Sequence, residues 1–384
     1  MKSIYITALH LQHGGVEMAI SLLANAFVRR GYDVNILSVY NLGEPAYKLD
    51  KRIKVSYLTE VIPNREAFLK AKEEKKFIRM MQEGIKAIKI LYLKYKSMRK
   101  AITSIKEGVI ISTRNEHSIL LSKYGQDNVL KIAQLHHDHN FKKKYIKDFR
   151  EKYTKIDYFV LLTEQLKEEI ETFIKEKNTD MKCVVIPNFL DVNEFSEKNF
   201  EKEKTVIAIG RLHPVKGFDR MLRIWEKISK KHPEWQLKIL GGGEEEEKLK
   251  MLVKELHIEK SVNMMGMCNH DIVIEELEKA SLYMMTSYSE AFPFVLIEAM
   301  MAEVPGVAFD VRVGPKAIIQ DGENGYLIED KEEEKFIETM EYIMSHEKER
   351  VIMRKKCVKK AEELCEDVVM EKWVSLIENS RKMK

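Results

Sequence analysis

The feature that most constrains the fold is an alternation of strand, turn and helix that runs through the first half and starts again in the second. In the first half "KSIYITAL" is followed by the glycine pair of "HGG" and by a helical pattern, "VEMAISLLANAFVRRG". After residue 204, "TVIAIGRL" leads into "GFDRMLRIWEKISKKHP". Continuous apolar runs are typical of strands buried on both faces. The sequence therefore predicts two doubly wound α/β domains with parallel sheets.

A polar, charged segment without clear periodicity, "NEFSEKNFEKEK" (193–204), separates the two patterns and is predicted to be a linker. We place the first domain at 1–196, the second at 197–365 and a terminal amphipathic helix at 366–384. A chain of 384 residues has the length expected of two domains. Two Rossmann-like domains are expected to bind a ligand in the crevice between them, at the carboxyl ends of the strands.

Cysteine usage and apolar run length indicate the compartment. The chain has no apolar run of the roughly 18–20 residues that cross a membrane, and its N-terminal run is too short for a secretory signal. The four cysteines are scattered without metal or redox spacing, which fits a reducing environment. We therefore expect a cytoplasmic protein.

Positive charge is concentrated in the first half, where residues 1–200 hold 35 Lys and Arg against 25 Asp and Glu. Segment 65–106 holds 13 Lys and Arg against four Glu, with apolar residues at nearly helical spacing. Two interpretations stay open: this stripe packs on its own domain, or the helix rests peripherally on the inner, anionic face of the cell membrane. Nucleic acid is not expected, since its readers usually interleave aromatic residues with the cations on one face. The stripe consists of Phe77, Met81, Ile85, Ile88, Leu91, Tyr95 and Ile102.

The stretch "SYSEAFPFVLIEAM" sets two glutamates around an apolar run. Glu290 follows the predicted strand "LYMMTS", and Pro293 suits the first turn of the next helix. Glu298 would lie about one turn into that helix, on an otherwise apolar face. The N–H groups at the start of a helix bind anions, so an anion site is expected between the carboxylates. A lone glutamate is more often simply exposed.

The stretch "GRLHPVKGFDR" supplies cations at the same sheet edge. Arg211 and Lys216 lie between a strand and the next helix, and Gly217 permits a tight turn into that helix. Arginine offers a planar fork for phosphate and lysine a mobile point charge. Either cation alone would be taken for a surface residue, but with a helix terminus nearby the pattern favours a diphosphate site.

Other motifs are less specific. The glycines of "HGGVE" would let backbone N–H groups approach a phosphate or sugar, although they form no dinucleotide fingerprint. The histidines of "QLHHDHN" could indicate a zinc site. However, His136 and His137 would point to opposite faces of a strand, so no metal is expected. "GGGEEEEKLK" is interpreted as a strand-to-helix turn, because its glutamates would repel phosphate.

Taken together, these motifs resemble those of the retaining glycosyltransferases of family four, which have the GT-B fold. The resemblance covers nearly the whole chain and is carried by "GGVE", "VIPN", "GRLHPVKGFDRML", "GENGYLIED" and "SEAFPFVLIEAM", which matches the E-x7-E motif of that family. It implies that Glu290 binds hydroxyls of the donor sugar and Glu298 the ribose of the nucleotide. Arg211 and Lys216 would neutralise the donor diphosphate.

The resemblance also implies roles for residues outside these two stretches. His136 would contact the donor sugar in the catalytic site, and Gly15 would approach the diphosphate from the first domain. Backbone groups near Met267 and Cys268 would hold the nucleobase. The N–H groups of Phe294 and Val295 would contribute to the diphosphate site, and the terminal helix would cross back to the first domain.

The expected function is a metal-independent, retaining transfer of a hexose from a nucleotide sugar, with UDP as the favoured carrier, to a glycan or lipid-linked acceptor. Cell-surface polysaccharide assembly is the expectation at family level, and no cofactor is expected. Two alternatives stay open: a sugar-nucleotide epimerase or phosphorylase of similar fold, and a non-enzymatic membrane-binding module.

Overall fold

The computed structural model describes residues 3–178, 180–191 and 201–382. The chain divides into two compact units, of which unit 1 comprises Met1–Ile186 with Met370–Lys384 and unit 2 comprises Pro187–Val369. Each unit contains a parallel sheet with helices, so the predicted class of two Rossmann-like α/β domains is confirmed. Most of the predicted linker lies outside the described residues, and the predicted boundary at residue 196 stays a prediction.

Within the residues that the structure describes, the sheet of unit 1 has seven strands. They are β1 (Ser3–Ala8), β2 (Asp33–Tyr40), β3 (Lys54–Thr59), β4 (Gly108–Ser112), β5 (Val129–Gln134), β6 (Tyr158–Leu161) and β7 (Lys182–Val185). Their order is β3-β2-β1-β4-β5-β6-β7, and every neighbouring pair is parallel. The strand order reverses between β1 and β4, which is where a sheet of this type opens a crevice for ligands at its carboxyl edge.

In the described part of unit 1, six helices connect these strands. They are α1 (Gly15–Arg29), α2 (Arg65–Glu73), α3 (Phe77–Ser104), α4 (Asn115–Tyr124), α5 (Lys143–Glu151) and α6 (Glu164–Ile174). Helix α1 forms as predicted because its apolar residues recur on one face, and Ile20, Leu23 and Phe27 are buried there. Gly31 has a positive φ of 80° just after the helix, a conformation that favours glycine.

The sheet of unit 2 has six strands among the described residues. They are β8 (Thr205–Ile209), β9 (Gln236–Leu240), β10 (Val262–Gly266), β11 (Leu282–Met285), β12 (Gly306–Asp310) and β13 (Gly325–Glu329). Their order is β10-β9-β8-β11-β12-β13, again with parallel neighbours. The reversal lies between β8 and β11, the two strands that precede the predicted donor-site motifs.

Helices of unit 2 cover this sheet around a core that includes the buried Trp225 and Trp235. They are α7 (Phe218–Lys231), α8 (Glu246–Glu255), α9 (His270–Lys279), α10 (Phe294–Met301), α11 (Pro315–Ile318), α12 (Glu333–Ser345) and α13 (Glu347–Glu362). The last helix, α14 (Glu366–Lys382), begins in unit 2 and continues in unit 1. There Trp373 is buried, with its ring centroid 6.0 Å from that of Phe27.

The burial of residues in helix α3 shows how much of the apolar stripe of segment 65–106 packs on its own domain. Ile102 is buried, but the six other members of the predicted stripe are exposed. Packing of the whole stripe on its own domain is therefore wrong, and only the C-terminal part follows that interpretation. Among the described residues, no helix is both long and apolar enough to span a bilayer.

Candidate active site

The candidate site of unit 2 is formed by two loops at the point where its strand order reverses. One loop (210–217) follows β8 and the other (286–293) follows β11. The backbone N–H of Tyr288 donates to the carbonyl of Val215 at 2.8 Å, and the Thr286 hydroxyl donates to the carbonyl of Gly217 at 2.9 Å. These bonds fix the two loops side by side, so the motifs "GRLHPVKG" and "SYSEAFP" meet although about 70 residues separate them in the chain.

Lys216 and Glu290 form an ion pair at the centre of this site. The Nζ atom of Lys216 lies 2.6 Å from Oε1 of Glu290, and the Glu290 side chain is only 9% exposed. The alternative of a solvent-facing Glu290 is therefore wrong. A charge-assisted hydrogen bond in this partly covered position holds the ammonium group at the carboxyl edge of the sheet. The pair can present a positive charge to phosphate oxygens and a carboxylate oxygen to a hydroxyl.

Glu298 is buried within α10, of which it is the fifth residue. The alternative of an exposed Glu298 is therefore also wrong. Helix α10 begins at Phe294, directly after Pro293, and no side chain caps its N-terminus. The N-terminal residues Phe294 and Val295 thus lie four and five residues after Glu290, where the partial positive charge of the helix favours an anion.

Arg220 is the residue of this site that the sequence interpretation missed. Its guanidinium donates to the carbonyls of Thr286 and Ser287, at 2.6 and 2.8 Å, and pairs with Asp330 at 2.9 Å. The group is buried and lies over the ring of Tyr288, 4.1 Å from its centroid. Arg220 therefore fixes the loop that carries Glu290. Its position in the first turn of α7 did not indicate a role in the site. Only the fold shows that its side chain reaches the loop that follows β11.

Arg211 is an exposed residue of the loop 210–217, and it lies beside the run of three glycines that follows β9. The N–H of Leu212 donates to the carbonyl of Gly242 at 3.0 Å, and the N–H of Glu245 donates to the carbonyl of Leu212 at 3.2 Å. The glycine run thus supports the segment that carries Arg211, which agrees with its interpretation as a structural turn. Within the described part of the chain, Arg211 has no ion pair with a carboxylate.

Met267 and Cys268 lie in the loop between β10 and α9, at the same sheet edge. The side chain of Met267 is 72% exposed, and its Cε lies 3.4 Å from a Cβ built on Gly242. The N–H of Gly241 donates to the carbonyl of Gly266 at 2.8 Å, which joins this loop to the glycine run. Unit 2 therefore gathers all eight of its predicted donor-site residues on loops at one edge of its sheet or on the helix that follows one of them.

Unit 1 places the two remaining predicted residues at the carboxyl edge of its own sheet. Gly15 is the exposed first residue of α1, after β1, and His136 follows β5 by two residues. Near them Arg114 pairs with the buried Glu17 at 3.4 Å. How Gly15 and His136 lie relative to the donor-site residues of unit 2 stays a prediction.

His136 and His117 are neutral at physiological pH, because burial lowers the pKa of each to about 3. Positive charge on Arg114 is a smaller cause of both shifts. Nδ1 of His117 lies 3.0 Å from the hydroxyl of Thr7, which orients that ring. A neutral imidazole at position 136 can donate or accept a hydrogen bond toward a sugar hydroxyl without adding charge.

These histidines make stability depend on pH. Below the ordinary histidine pKa of 6.5, the unfolded chain takes up protons that the folded chain does not bind until about pH 3. The contribution of each neutral, buried histidine to the free energy of unfolding is therefore fully present above pH 6.5. It is lost as the pH falls toward the folded-state pKa of about 3. We expect His117→Gln to remove about 1.4 kcal/mol from the fall in unfolding free energy between about pH 7.5 and 5.5. Denaturant unfolding at both pH values measures this difference.

The matched control is His13→Gln, which removes an exposed histidine of the same unit. Its stability should fall with pH as that of the unmodified protein does. An equal fall in His117→Gln and the unmodified protein would contradict a neutral, buried His117.

The histidine-rich stretch does not assemble a metal site in the described ranges, where no group of three or more His, Cys, Asp or Glu side chains is placed to hold an ion. His139 is buried instead against Glu169, with 3.0 Å between Nε2 and the carboxylate. Burial lowers the pKa of His139 and of His137, although the Glu169 carboxylate opposes the shift at His139.

Comparison with known families decides the nature of unit 2. Residues 191–364 match the family model described as "Glycosyl transferases group 1". The chain contains a group 1 glycosyltransferase domain. The matched range includes both loops of the candidate site and every predicted donor-site residue except Gly15 and His136, which lie in unit 1.

Relatives that match over nearly their whole length extend the similarity to unit 1. An uncharacterized glycosyltransferase of Haemophilus influenzae is 28% identical, over 95% of this chain and 96% of that protein. A Campylobacter jejuni protein is also 28% identical, over 98% of each chain. That protein is named GalNAc-alpha-(1->4)-GalNAc-alpha-(1->3)-diNAcBac-PP-undecaprenol alpha-1,4-N-acetyl-D-galactosaminyltransferase.

A solved structure supports the fold of the whole chain. The crystal structure of a Staphylococcus aureus TarM mutant in complex with fondaparinux, alpha-GlcNAc-glycerol and UDP superposes with a TM-score of 0.79. The similarity covers 98% of this chain and 100% of that one at 19% identity. The superposition shows a shared GT-B fold. At this level of identity it does not show the activity of this chain.

Proposed function

We propose that the enzyme is a retaining glycosyltransferase of family four that transfers a hexose from a UDP-sugar to a glycan or lipid-linked acceptor without a metal ion. The observation that carries this proposal is the Lys216–Glu290 pair, with 2.6 Å between Nζ and Oε1, beside the N-terminus of α10. The spacing of Glu290 and Glu298 fits the E-x7-E motif. TarM, which shares the fold, was crystallised with UDP, which supports UDP as the carrier.

The proposed reaction needs stabilisation of charge on the leaving diphosphate. The bond between the anomeric carbon and the phosphate oxygen breaks, and negative charge develops on that oxygen. Arg211, Lys216 and the N–H groups of Phe294 and Val295 would stabilise this charge in the way that preorganised donors do. The acceptor hydroxyl would attack on the same face, and its proton would pass to the leaving phosphate.

Each carboxylate has a separate task in the proposed donor complex. Glu290, at the loop, would accept hydrogen bonds from hydroxyls of the hexose, whereas Glu298, inside α10, would hold the ribose. Met267 and Cys268 would contact the base through their backbone. His136 would contact the sugar from unit 1, and Gly15 would approach the diphosphate.

The acceptor and the cellular setting are proposed from the name of a relative. The Campylobacter relative is named for an acceptor linked to PP-undecaprenol, so we propose a glycan or lipid-linked acceptor in bacterial cell-surface polysaccharide assembly. Such an acceptor lies at a membrane, and we accordingly propose a cytoplasmic enzyme that is peripheral on the inner face. Segment 65–106 would provide the contact.

A single reaction tests the metal-free, retaining mechanism. Incubated with a panel of UDP-hexoses and undecaprenyl-diphosphate glycans in EDTA, the enzyme should release UDP at the rate seen without chelator. NMR should show that the product keeps the anomeric configuration of the donor. A complete loss of turnover in EDTA that Mg²⁺ or Mn²⁺ restores, or an inverted product, would refute the mechanism.

A further inference from the structure

Helix α3 carries a row of large apolar side chains that its own unit leaves uncovered. They are between 62% and 74% exposed, and they follow one another along the first half of the helix. Single exposed apolar residues are ordinary on a protein surface, but a contiguous row marks an interaction surface. We call this row the α3 stripe: Phe77, Ile78, Met81, Ile85, Ile88 and Leu91.

The α3 stripe is distinct from the face by which the helix packs on unit 1. That face buries Ile90, Met98 and Ile102. It is also tied to α4 by the pair of Lys94 with Glu116 at 2.8 Å. With a helical rotation of about 100° per residue, the centre of the stripe lies roughly a third of a turn from the buried face. Packing on unit 1 therefore leaves the stripe free for another surface.

Positive charges line one side of the stripe. Helix α3 contains seven Lys and Arg residues and a single acidic residue, Glu83. Lys89 and Lys96 are exposed, and the helical rotation of about 100° per residue places them along one edge of the stripe, roughly 70–90° from its centre. An apolar row bordered by cations matches the boundary between lipid headgroups and acyl chains, where apolar side chains insert and cations meet anionic headgroups.

We propose that the α3 stripe docks unit 1 on an anionic lipid membrane, with the helix lying in the plane of the surface. This assignment deepens the proposed function, since a lipid-linked acceptor would be reached on the same membrane. A second copy of the chain suits the surface less well. Two such helices face to face would bring their cation rows together, with one acidic residue each to offset them.

The test uses the full chain and sedimentation with vesicles of phosphatidylcholine alone or mixed with phosphatidylglycerol. The unmodified protein should sediment with the mixed vesicles and stay in solution with phosphatidylcholine. The double variants Ile85→Ser/Ile88→Ser and Lys89→Gln/Lys96→Gln should each lower the partition coefficient on mixed vesicles by about tenfold or more. All four side chains are exposed, so both variants should fold.

The matched control is Ile352→Ser, which replaces an isoleucine of similar exposure (58%) on α13 of unit 2. It should bind mixed vesicles like the unmodified protein. The assignment is overturned if the stripe variant binds equally well, or if the unmodified protein does not bind. It is also overturned if light scattering shows that the stripe variant converts a dimer to a monomer.

Vesicle binding and catalysis can fail separately. The α3 stripe belongs to no proposed donor contact, so both double variants should hydrolyse or transfer from UDP-hexoses in solution as the unmodified protein does. Vesicle binding without any turnover of UDP-hexoses would refute the proposed function and support the docking surface. Turnover without vesicle binding would refute only the surface.

Discussion

Replacing Lys216 by alanine is expected to lower the rate of glycosyl transfer by a factor of about 10³ or more, because the leaving diphosphate loses a cation held at the reacting edge. Its ammonium group is fixed 2.6 Å from Glu290 before any donor binds, so little rearrangement is needed when charge develops. The measurement is UDP release from the UDP-hexose that supports turnover. Calorimetry should show that the variant stays folded.

Removing the other partner should be as damaging for a different reason. Glu290→Ala deletes the proposed acceptor for the sugar hydroxyls and also frees Lys216 from its position. Glu290→Gln keeps one hydrogen-bond acceptor but loses the ionic partner, so it should retain more activity than the alanine variant. Because both residues would act in one step, the double alanine variant should be little slower than either single variant.

Another ion pair in unit 2 provides a matched control. Lys238 and Glu276 are also 2.6 Å apart, with side chains 17% and 12% exposed, but Lys238 lies in the middle of β9. Lys238→Ala should therefore change stability by a similar amount while leaving the transfer rate nearly normal. A normal rate in Lys216→Ala, or an equal loss in Lys238→Ala, would contradict the proposed site.

Local patterns predicted much of the site. The apolar run after Pro293 predicted where α10 begins, and its first residue is Phe294. The position of Lys216 between a strand and a helix predicted a place at the sheet edge. These inferences succeeded because they rest on strand and helix boundaries, which short-range residue patterns determine well.

Contacts between segments that are far apart in the chain could not be predicted from the sequence. The Lys216–Glu290 pair and the bonds of Arg220 to the 286–287 carbonyls join segments that are neighbours only because β8 pairs with β11. The short strands β3, β12 and β13 were not predicted either. Strand β3 is half-buried to exposed along its length, so its residues lack the continuous apolar run that identified the central strands.

The largest stability effect is expected at Gly241, the first residue of the glycine run after β9. Its φ is +141°, and a Cβ there would lie 1.9 Å from the carbonyl oxygen of Gly210. Gly241→Ala should therefore destabilise unit 2 by roughly 3 kcal/mol or more, from overpacking and backbone strain together. For a domain of this size that lowers Tm by roughly 6–12 °C, which differential scanning calorimetry resolves.

The neighbouring Gly242 is the control position, because its substitution tests whether the loop needs glycine at every position or only at Gly241. A Cβ at Gly242 would meet side-chain atoms at ordinary contact distances, with Cε and Cβ of Met267 at 3.4 and 3.6 Å and Oε2 of Glu246 at 3.8 Å. Gly242→Ala should therefore change stability by no more than about 0.5 kcal/mol. Equal melting temperatures for the two variants would show that the loop moves away from Gly210. The glycine run would then not be what holds the Arg211 segment in place.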